Sequence, residues 1–359
     1  MLTQSNKIDS DCQHIYVGFD VHLKNWNVTV MTEELTLKTF SQNPRPELLH
    51  QYLVRNFPGA VYHTAYEAGF CGYWIHNKLT ALGIDSIVVN PADVPTTDKE
   101  KVNKDDKRDS KKIARSLRSG LLKGIHVMSL KTIEDRGLTR TREIMVRDLT
   151  RIKNRIKTFL YFHGIEFPEK FKNKSTHWSK RFLNWLKSID LVEYGAKKTL
   201  SLLIEEAEHI RSSVLNATKA IRELSQSEEY CHRIKLLRSI SGIGILSGMI
   251  FLTEIEAINR FSNFDKLCSF IGLIPSTHSS GEKEVTGELT RRGNNYLKRT
   301  LVECAWISVR WDRALNKSYH DYCKRMEPNK AIIRIARKLL NRIRFVLKND
   351  QPYVCSIIK

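Results

Sequence analysis

The sequence predicts an α/β layer with a mixed sheet over its first third and an all-α remainder. Two observations carry this. From Ile15 to about Val127, short runs of alternating apolar and polar residues are interleaved with helical stretches. From about Glu134 the composition turns to Lys, Arg, Glu and Leu with few glycines. With 359 residues, 41% of them hydrophobic, the chain is long enough for two or three domains with cores of their own.

In order along the chain, Ile15, Val17 and Phe19 alternate with Tyr16, Gly18 and Asp20, which predicts a strand. Trp26, Val28 and Val30 repeat the period of two after the short polar link 22–25, suggesting a hairpin. Leu35–Phe40, Val61–Glu67 and Asp85–Asn90 supply three more strands, with helices near Pro46–Phe57 and Gly72–Leu82. Three successive strands followed by alternating helix and strand are the order of a ribonuclease-H-like fold. Beyond it, Glu134–His163, Ser179–Lys187 and Leu200–Arg238 predict long antiparallel helices or a coiled coil, interrupted at Gly164–Lys174, which contains Pro168. Clean heptads are not sustained, so the segment is read as a helical arm. From Leu236 a compact unit begins. Its Ser239–Gly248 segment looks like half of a helix-hairpin-helix, or else Gly242 and Gly244 let two helices pack closely. The expected division is 1–133, 134–235 and 236–359.

Lys and Arg outnumber Asp and Glu by 59 to 39, a formal charge of +20 spread along the whole chain. That favours a polyanionic partner, nucleic acid first. No apolar run reaches the ~18 residues of a spanning helix, and the polar first fourteen residues are unlike a signal peptide. The expectation is a cytoplasmic, nucleoid-associated protein with no membrane partner. Seven cysteines, none spaced C-x-x-C, argue against a disulfide framework and a structural zinc site. Most are expected to be buried free thiols.

Four carboxylates stand where strand ends and a helix start could aim them into one pocket: Asp20, Glu67, Asp106 and Asp109. Asp is depleted from strands, which makes Asp20 hard to dismiss as a surface residue. Asp106 and Asp109 share a helix face that continues through Ile113 and Leu117, whereas Asp105 points about 100° away from Asp106. First-turn acids also suit the helix dipole, and that is the competing explanation for this pair. Ionised carboxylates sharing a pocket need cations, and hard oxygen ligands suit Mg2+ or Mn2+ in phosphoryl transfer. His22 and His63 are expected on a polar surface rather than on metal.

The second constellation is Ser279 and Ser280 before Gly281, with Arg291, Arg292, Lys298 and Arg299 downstream. Serine before glycine is ordinary turn chemistry. The cationic cluster raises its standing, because basic side chains can polarise a phosphoester that a serine hydroxyl attacks, and Gly293 could admit a phosphate close to the backbone. A basic stripe on the last helix, Arg334, Arg337, Lys338, Arg342 and Arg344, could contact nucleic acid or be a solvated face over an apolar core.

Asp20, Glu67, the D-x-x-D of 106–109, a helical arm, S-I-S-G-I-G, then G-L-I-P-x-x-x-S-S-G and R-R-G-N-x-x-L-K-R follow one another in this chain. This order, from about Ile15 to Val346, resembles the DEDD-type transposases of the insertion-sequence-110 family. The resemblance implies a RuvC-like N-terminal domain, a coiled-coil insertion and a mainly helical C-terminal transposase domain. It implies metal ligation by Asp20, Glu67, Asp106 and Asp109 and a nucleophile at Ser280. It further implies a bridge RNA that selects donor and target DNA, and a homodimer or homotetramer in which carboxylates of one subunit work with the serine of another. Asp105 stands in place of the family's usual threonine, and Ser279 duplicates the serine; Ser280 is favoured because it directly precedes glycine. Two other functions fit parts of the pattern. A RuvC-like nuclease or junction resolvase would need only the carboxylates. A non-catalytic nucleic-acid-binding scaffold would need neither constellation.

Overall fold

A computed structural model of the chain describes residues 13–96, 106–280, 283–290 and 292–354, with only the backbone at 106–107, 276–280 and 283–287. Two compact units divide at Val127/Met128.

The first unit is a five-stranded mixed sheet in the order β3-β2-β1-β4-β5. Its strands are β1 (His14–Val21), β2 (Trp26–Met31), β3 (Thr36–Gln42), β4 (Val61–Glu67) and β5 (Asp85–Val89). β1 pairs antiparallel with β2 and parallel with β4, β2 pairs antiparallel with β3, and β4 pairs parallel with β5. Period-two alternation in β1 sends Ile15, Val17 and Phe19 to a core built with Leu49 and Leu53 of α1 (Pro46–Asn56) and Ile75 and Leu79 of α2 (Trp74–Ala81). The opposite face receives α3 (Asp106–Arg118), through Ile113 packed with Ala65, Val89 and Val94. Gly18 explains how α3 comes so close. A Cβ there would lie 2.5 Å from the Ser110 carbonyl oxygen and clash with the Ala114 amide as well.

The second unit is helical. α4 (Leu130–Phe162) starts at Ser129, whose hydroxyl caps the Thr132 amide at 3.2 Å, and runs antiparallel to α6 (Tyr194–Leu224). Between them, Gly164 takes φ +64° and turns the chain out of α4, as the expected break requires. Two 3-10 turns and α5 (Lys180–Lys187) then complete a small core around Phe171, Phe182 and Leu186. The single helical run expected over Leu200–Arg238 is two helices, because buried Ser225 and its neighbours end α6 before α7 (Glu228–Arg238) begins.

The remainder comprises α8 (Ile245–Ile255), α9 (Phe264–Ile271), a β6 (Pro275–Ser280)–β7 (Lys283–Leu289) ribbon, α10 (Asn295–Trp311), α11 (Arg313–Cys323) and α12 (Pro328–Asn349). The helices among these share one apolar core that includes Phe251, Leu267, Leu301 and Leu339. No helix among the described residues is long and apolar enough to cross a membrane. Of the described cysteines, Cys268 and Cys304 are buried free thiols and Cys71, Cys231 and Cys323 are partly exposed free thiols; Cys12 and Cys355 lie outside the described residues.

Candidate functional site

Asp20 and Glu67 come together through strand register. Gly18 pairs with Ala65 and Phe19 with Tyr66, so one step further the parallel strands bring Asp20 beside Glu67 at their carboxyl ends. Alternation places both on the face that carries Gly18 and Ala65, which α3 covers. The carboxyl edge of a parallel strand pair is the usual place for a site in an α/β sheet. Asp109 lies one turn before Ile113, and Asp106 one turn before Ser110, so both positions extend the sheet-facing stripe of α3 towards its N-terminus. Ser110 is locked to the sheet by a buried hydrogen bond between its hydroxyl and that of Thr29 at 2.9 Å.

Two of these acids have basic side chains beside them. Asp109 accepts from Lys112 Nζ at 3.0 Å, and Asp20 Oδ2 lies 3.1 Å from His22 Nε2. His22, expected on a polar surface, thus touches a candidate acid; His63 lies between His14 Nδ1 at 2.9 Å and Asp85 Oδ2 at 2.8 Å. Among the described residues no three His, Cys, Asp or Glu side chains gather as a metal cage. The Asp106 side chain lies outside the described residues, as does Asp105. The donor chemistry itself, hard oxygens on neighbouring strands and one helix stripe, fits a divalent cation such as Mg2+.

Ser279 and Ser280 end strand β6 rather than occupying a free loop. Ser279 is in register with Glu284 and Ser280 with Lys283. Gly281 and Arg291 lie outside the described residues. The ribbon is pinned at its root, where the Thr290 amide donates to the Ile274 carbonyl at 2.9 Å and the Asn294 amide to the Phe270 carbonyl at 2.8 Å. Gly293 has φ +124°, and a Cβ there would lie 2.6 Å from Gly272 Cα, so the close approach it visibly permits is to Gly272 at the end of α9.

The basic residues around that root have protein partners. Lys298 Nζ donates to the Thr290 carbonyl at 3.4 Å, and Arg299 pairs with Glu143 of α4 at 2.8 Å. Arg292 is exposed beside Thr290, whose hydroxyl accepts its amide at 3.2 Å. On α12, Arg337 donates to the Leu273 carbonyl at 2.9 Å and Arg342 to buried Asp312 at 2.6 Å. These two members of the basic stripe therefore hold the fold.

Sequence reasoning missed Glu254. Only 1% exposed on α8, it accepts from Arg140 Nε at 2.6 Å, Arg140 Nη2 at 2.9 Å and Asn294 Nδ2 at 2.6 Å. One carboxylate thus ties α4, α8 and the ribbon root together. No local signal marks it, because an acid on a helix is ordinarily solvated. Gly242, at φ +91°, would place a Cβ 2.6 Å from the Cys304 carbonyl oxygen, so it serves close packing against α10. A Cβ on Gly244 would meet no atom of the described residues within 4 Å; the glycine stands at the start of α8, where a cavity of about 620 Å³ is lined by Arg142, Arg222 and Arg238 among others.

Two family models match this chain, each over one of these regions. A model for DEDD transposases of the IS110 type, described as Transposase, matches residues 17–164. A second, described as Transposase IS116/IS110/IS902 family, matches residues 234–320. The chain belongs to the IS110 family of DNA transposases. It is similar to the transposase for insertion sequence element IS1533 of Leptospira borgpetersenii, 25% identical over 81% of this chain and 84% of that protein. The transposase for insertion sequence element IS1111A of Coxiella burnetii is 24% identical over 80% of this chain and 78% of its own length. With y4qE of Sinorhizobium fredii the identity is 28% over 67% of this chain, spanning 57% of that longer protein.

Proposed function

We propose that this chain cuts and rejoins DNA strands through a covalent phosphoserine at Ser280. The observation that carries the reading is the coincidence of the two family matches with the two constellations. The match over 17–164 takes in Asp20, Glu67, Asp106 and Asp109, and the match over 234–320 takes in Ser280 and the loop before α10.

In the first step the Ser280 oxygen attacks phosphorus, one P–O bond to deoxyribose breaks, and the leaving oxygen takes up a proton as a free DNA hydroxyl. In the second step a DNA hydroxyl attacks the phosphoserine and releases serine. The ester stores the bond energy between steps, so rejoining needs no ATP. Basic groups that follow the ribbon in the chain, Arg291, Arg292, Lys298 and Arg299 among them, offset phosphate charge. Asp20, Glu67, Asp106 and Asp109 would hold Mg2+ or Mn2+, which supplies polarisation of the phosphoester. The β3-β2-β1-β4-β5 order supports a RuvC-like reading of the sheet, and the paired α4 and α6 support a coiled-coil arm. The α7–α8 pair, with its glycine turn, is read as a helix-hairpin-helix-like contact to DNA backbone. By family likeness the enzyme works as a dimer or tetramer guided by a bridge RNA.

The test is covalent trapping on a cleaved DNA substrate. Ser280→Ala should abolish the protein–DNA adduct, while Asp20→Asn should suppress it with the serine intact. An adduct that persists in the Ser279→Ala/Ser280→Ala double variant overturns the serine mechanism; strand cleavage that survives Ser280→Ala with no adduct points to a metal-dependent nuclease. Sequencing the nucleic acid that copurifies with the chain tests the guide: a discrete RNA supports it, and none leaves a protein-only recombinase.

A further inference from the structure

At the distal end of the α4–α6 pair, away from the ribbon, α5 and the turn before it form an open cavity of about 900 Å³. Its lining includes Lys170, Phe171, Lys180, Arg181, Asn184 and Trp185, and among the described residues no carboxylate. Trp185 is half-buried. It packs against Phe167, Phe171 and Phe182, with ring centroids 5.7, 5.5 and 5.3 Å away, and it also lines the cavity. Lys180 and Arg181 are exposed, and neither has an acidic partner among the described residues. Lys170 lies 5.2 Å from the Phe171 ring centroid. Glu169, next to it in the chain, is engaged by Lys172.

Cations without carboxylate partners repel one another, and a half-covered indole beside them forfeits burial. Both costs are relieved by a ligand that brings negative charge and a flat π-face together. Phosphate alone would use the cations and ignore the ring; an apolar peptide would use the ring and leave the cations. An unpaired nucleotide uses both, because its base stacks and its phosphate pairs. A base inside a duplex offers no free face to Trp185. We infer that this cavity binds an unpaired nucleotide of a single-stranded nucleic acid, with the base on Trp185 and the flanking phosphates on Lys170, Lys180 and Arg181. Asn184 supplies an amide that can reach a base edge or sugar. The site is independent of Ser280 and of the carboxylates.

The test is photocrosslinking of the full chain to a single strand of about 12 nucleotides carrying one 5-iodouracil. It is run as RNA, as DNA of the same sequence, and as the blunt DNA duplex. Crosslinked peptides are mapped by mass spectrometry. Adducts should fall within residues 170–188 for one or both single strands, and the better-yielding strand identifies the source of the nucleotide. Lys180→Ala/Arg181→Ala, two exposed positions that leave the small core intact, should lower the yield there about tenfold while adducts elsewhere stay constant. Trp185→Leu should do the same, with the double variant standing in should it fail to fold. No adduct in 170–188, equal yield from the duplex, or a yield unmoved by the Lys180/Arg181 change overturns the inference.

Discussion

Asp20 and Ser280 stand on supports of different kinds. Asp20 follows Gly18 on a strand with neighbours on both sides, an apolar core beneath it and α3 against its other face. Ser280 ends one strand of a two-stranded ribbon, an element of marginal stability by itself. Its position depends on what holds its root: the Gly272–Gly293 contact, the Asn294 backbone and, behind them, Glu254. The difference suits the two tasks proposed for them. Carboxylates that gather a cation need fixed mutual geometry, which a sheet supplies through register. A nucleophile that joins and leaves a DNA strand needs access, a demand that the end of a two-stranded ribbon suits better than the middle of a covered sheet.

Gly18→Ala should give the largest loss in stability. The added methyl meets helix backbone at Ser110 and Ala114, which no rotamer can relieve. The expected destabilisation is about 3 kcal/mol, read as a lower thermal midpoint of the N-terminal unit. An unchanged midpoint would mean that α3 does not bear on the sheet as described. Glu254→Ala comes next. Breaking a fully buried ion pair costs more than this one should, because Arg140 is 45% exposed and can turn to water. Asn294 nevertheless loses its acceptor, and about 2 kcal/mol is expected. Denaturation should show the loss in the helical unit, accompanied by weaker adduct formation at Ser280. Glu254→Gln, which keeps an acceptor for Asn294, should recover part of both.

The two supports also differed in how openly the sequence declared them. In β1 and β2 apolar side chains alternate with Tyr16, Gly18, Asn27 and Thr29, because one face of these strands packs on the core beneath α1 and α2, so Ile15, Val17 and Phe19 mark β1 without tertiary knowledge. The stripe from Asp109 through Ile113 to Leu117 was legible for the same reason, helical period against a flat partner. Gly18 was visible only as an alternating position; that it admits α3 depends on residues more than ninety positions away. Towards the C-terminus, residue chemistry alone did not show the packing partners. Gly293 and Arg342 belong to residue types that phosphate sites use, yet the first meets Gly272 and the second meets Asp312, which is fully buried and also caps α11. Long-range pairing of this kind leaves no local trace, and neither does the burial of Glu254 or Asp312.

A smaller effect probes the seam between α3 and the sheet. Ser110 and Thr29 share a buried hydroxyl pair, so Ser110→Ala should cost about 1 kcal/mol. Thr29 also bonds the Thr39 hydroxyl at 2.9 Å. Its hydroxyl therefore keeps one partner in the Ser110 variant, which holds the loss near the value for a single bond. Combining Ser110→Ala with Thr29→Val should cost less than the sum of the two single changes, since they share one interaction. Full additivity in chemical denaturation would show that the pair contributes nothing.

The smallest perturbation leaves the chain unmutated and asks whether the ribbon's helical support opens. Burial pushes the thiols of Cys268 on α9 and Cys304 on α10 up to about 11. These helices flank the ribbon in the chain, and at neutral pH both sulfurs stay protonated and covered. Cys231 and Cys323 are partly exposed in the same unit. An alkylating reagent at pH 8 should therefore label Cys231 and Cys323 first, and reach Cys268 and Cys304 only through opening of the core. The same shifts fix a sign for stability. A folded-state thiol value above the ordinary 9.0 favours the folded state fully below pH 9.0, and the advantage is lost as pH rises towards about 11. If Cys268 labels as fast as Cys231, α9 opens independently of the core. The ribbon root would then be mobile, and the contrast with the sheet beneath Asp20 would extend from the ribbon into its support.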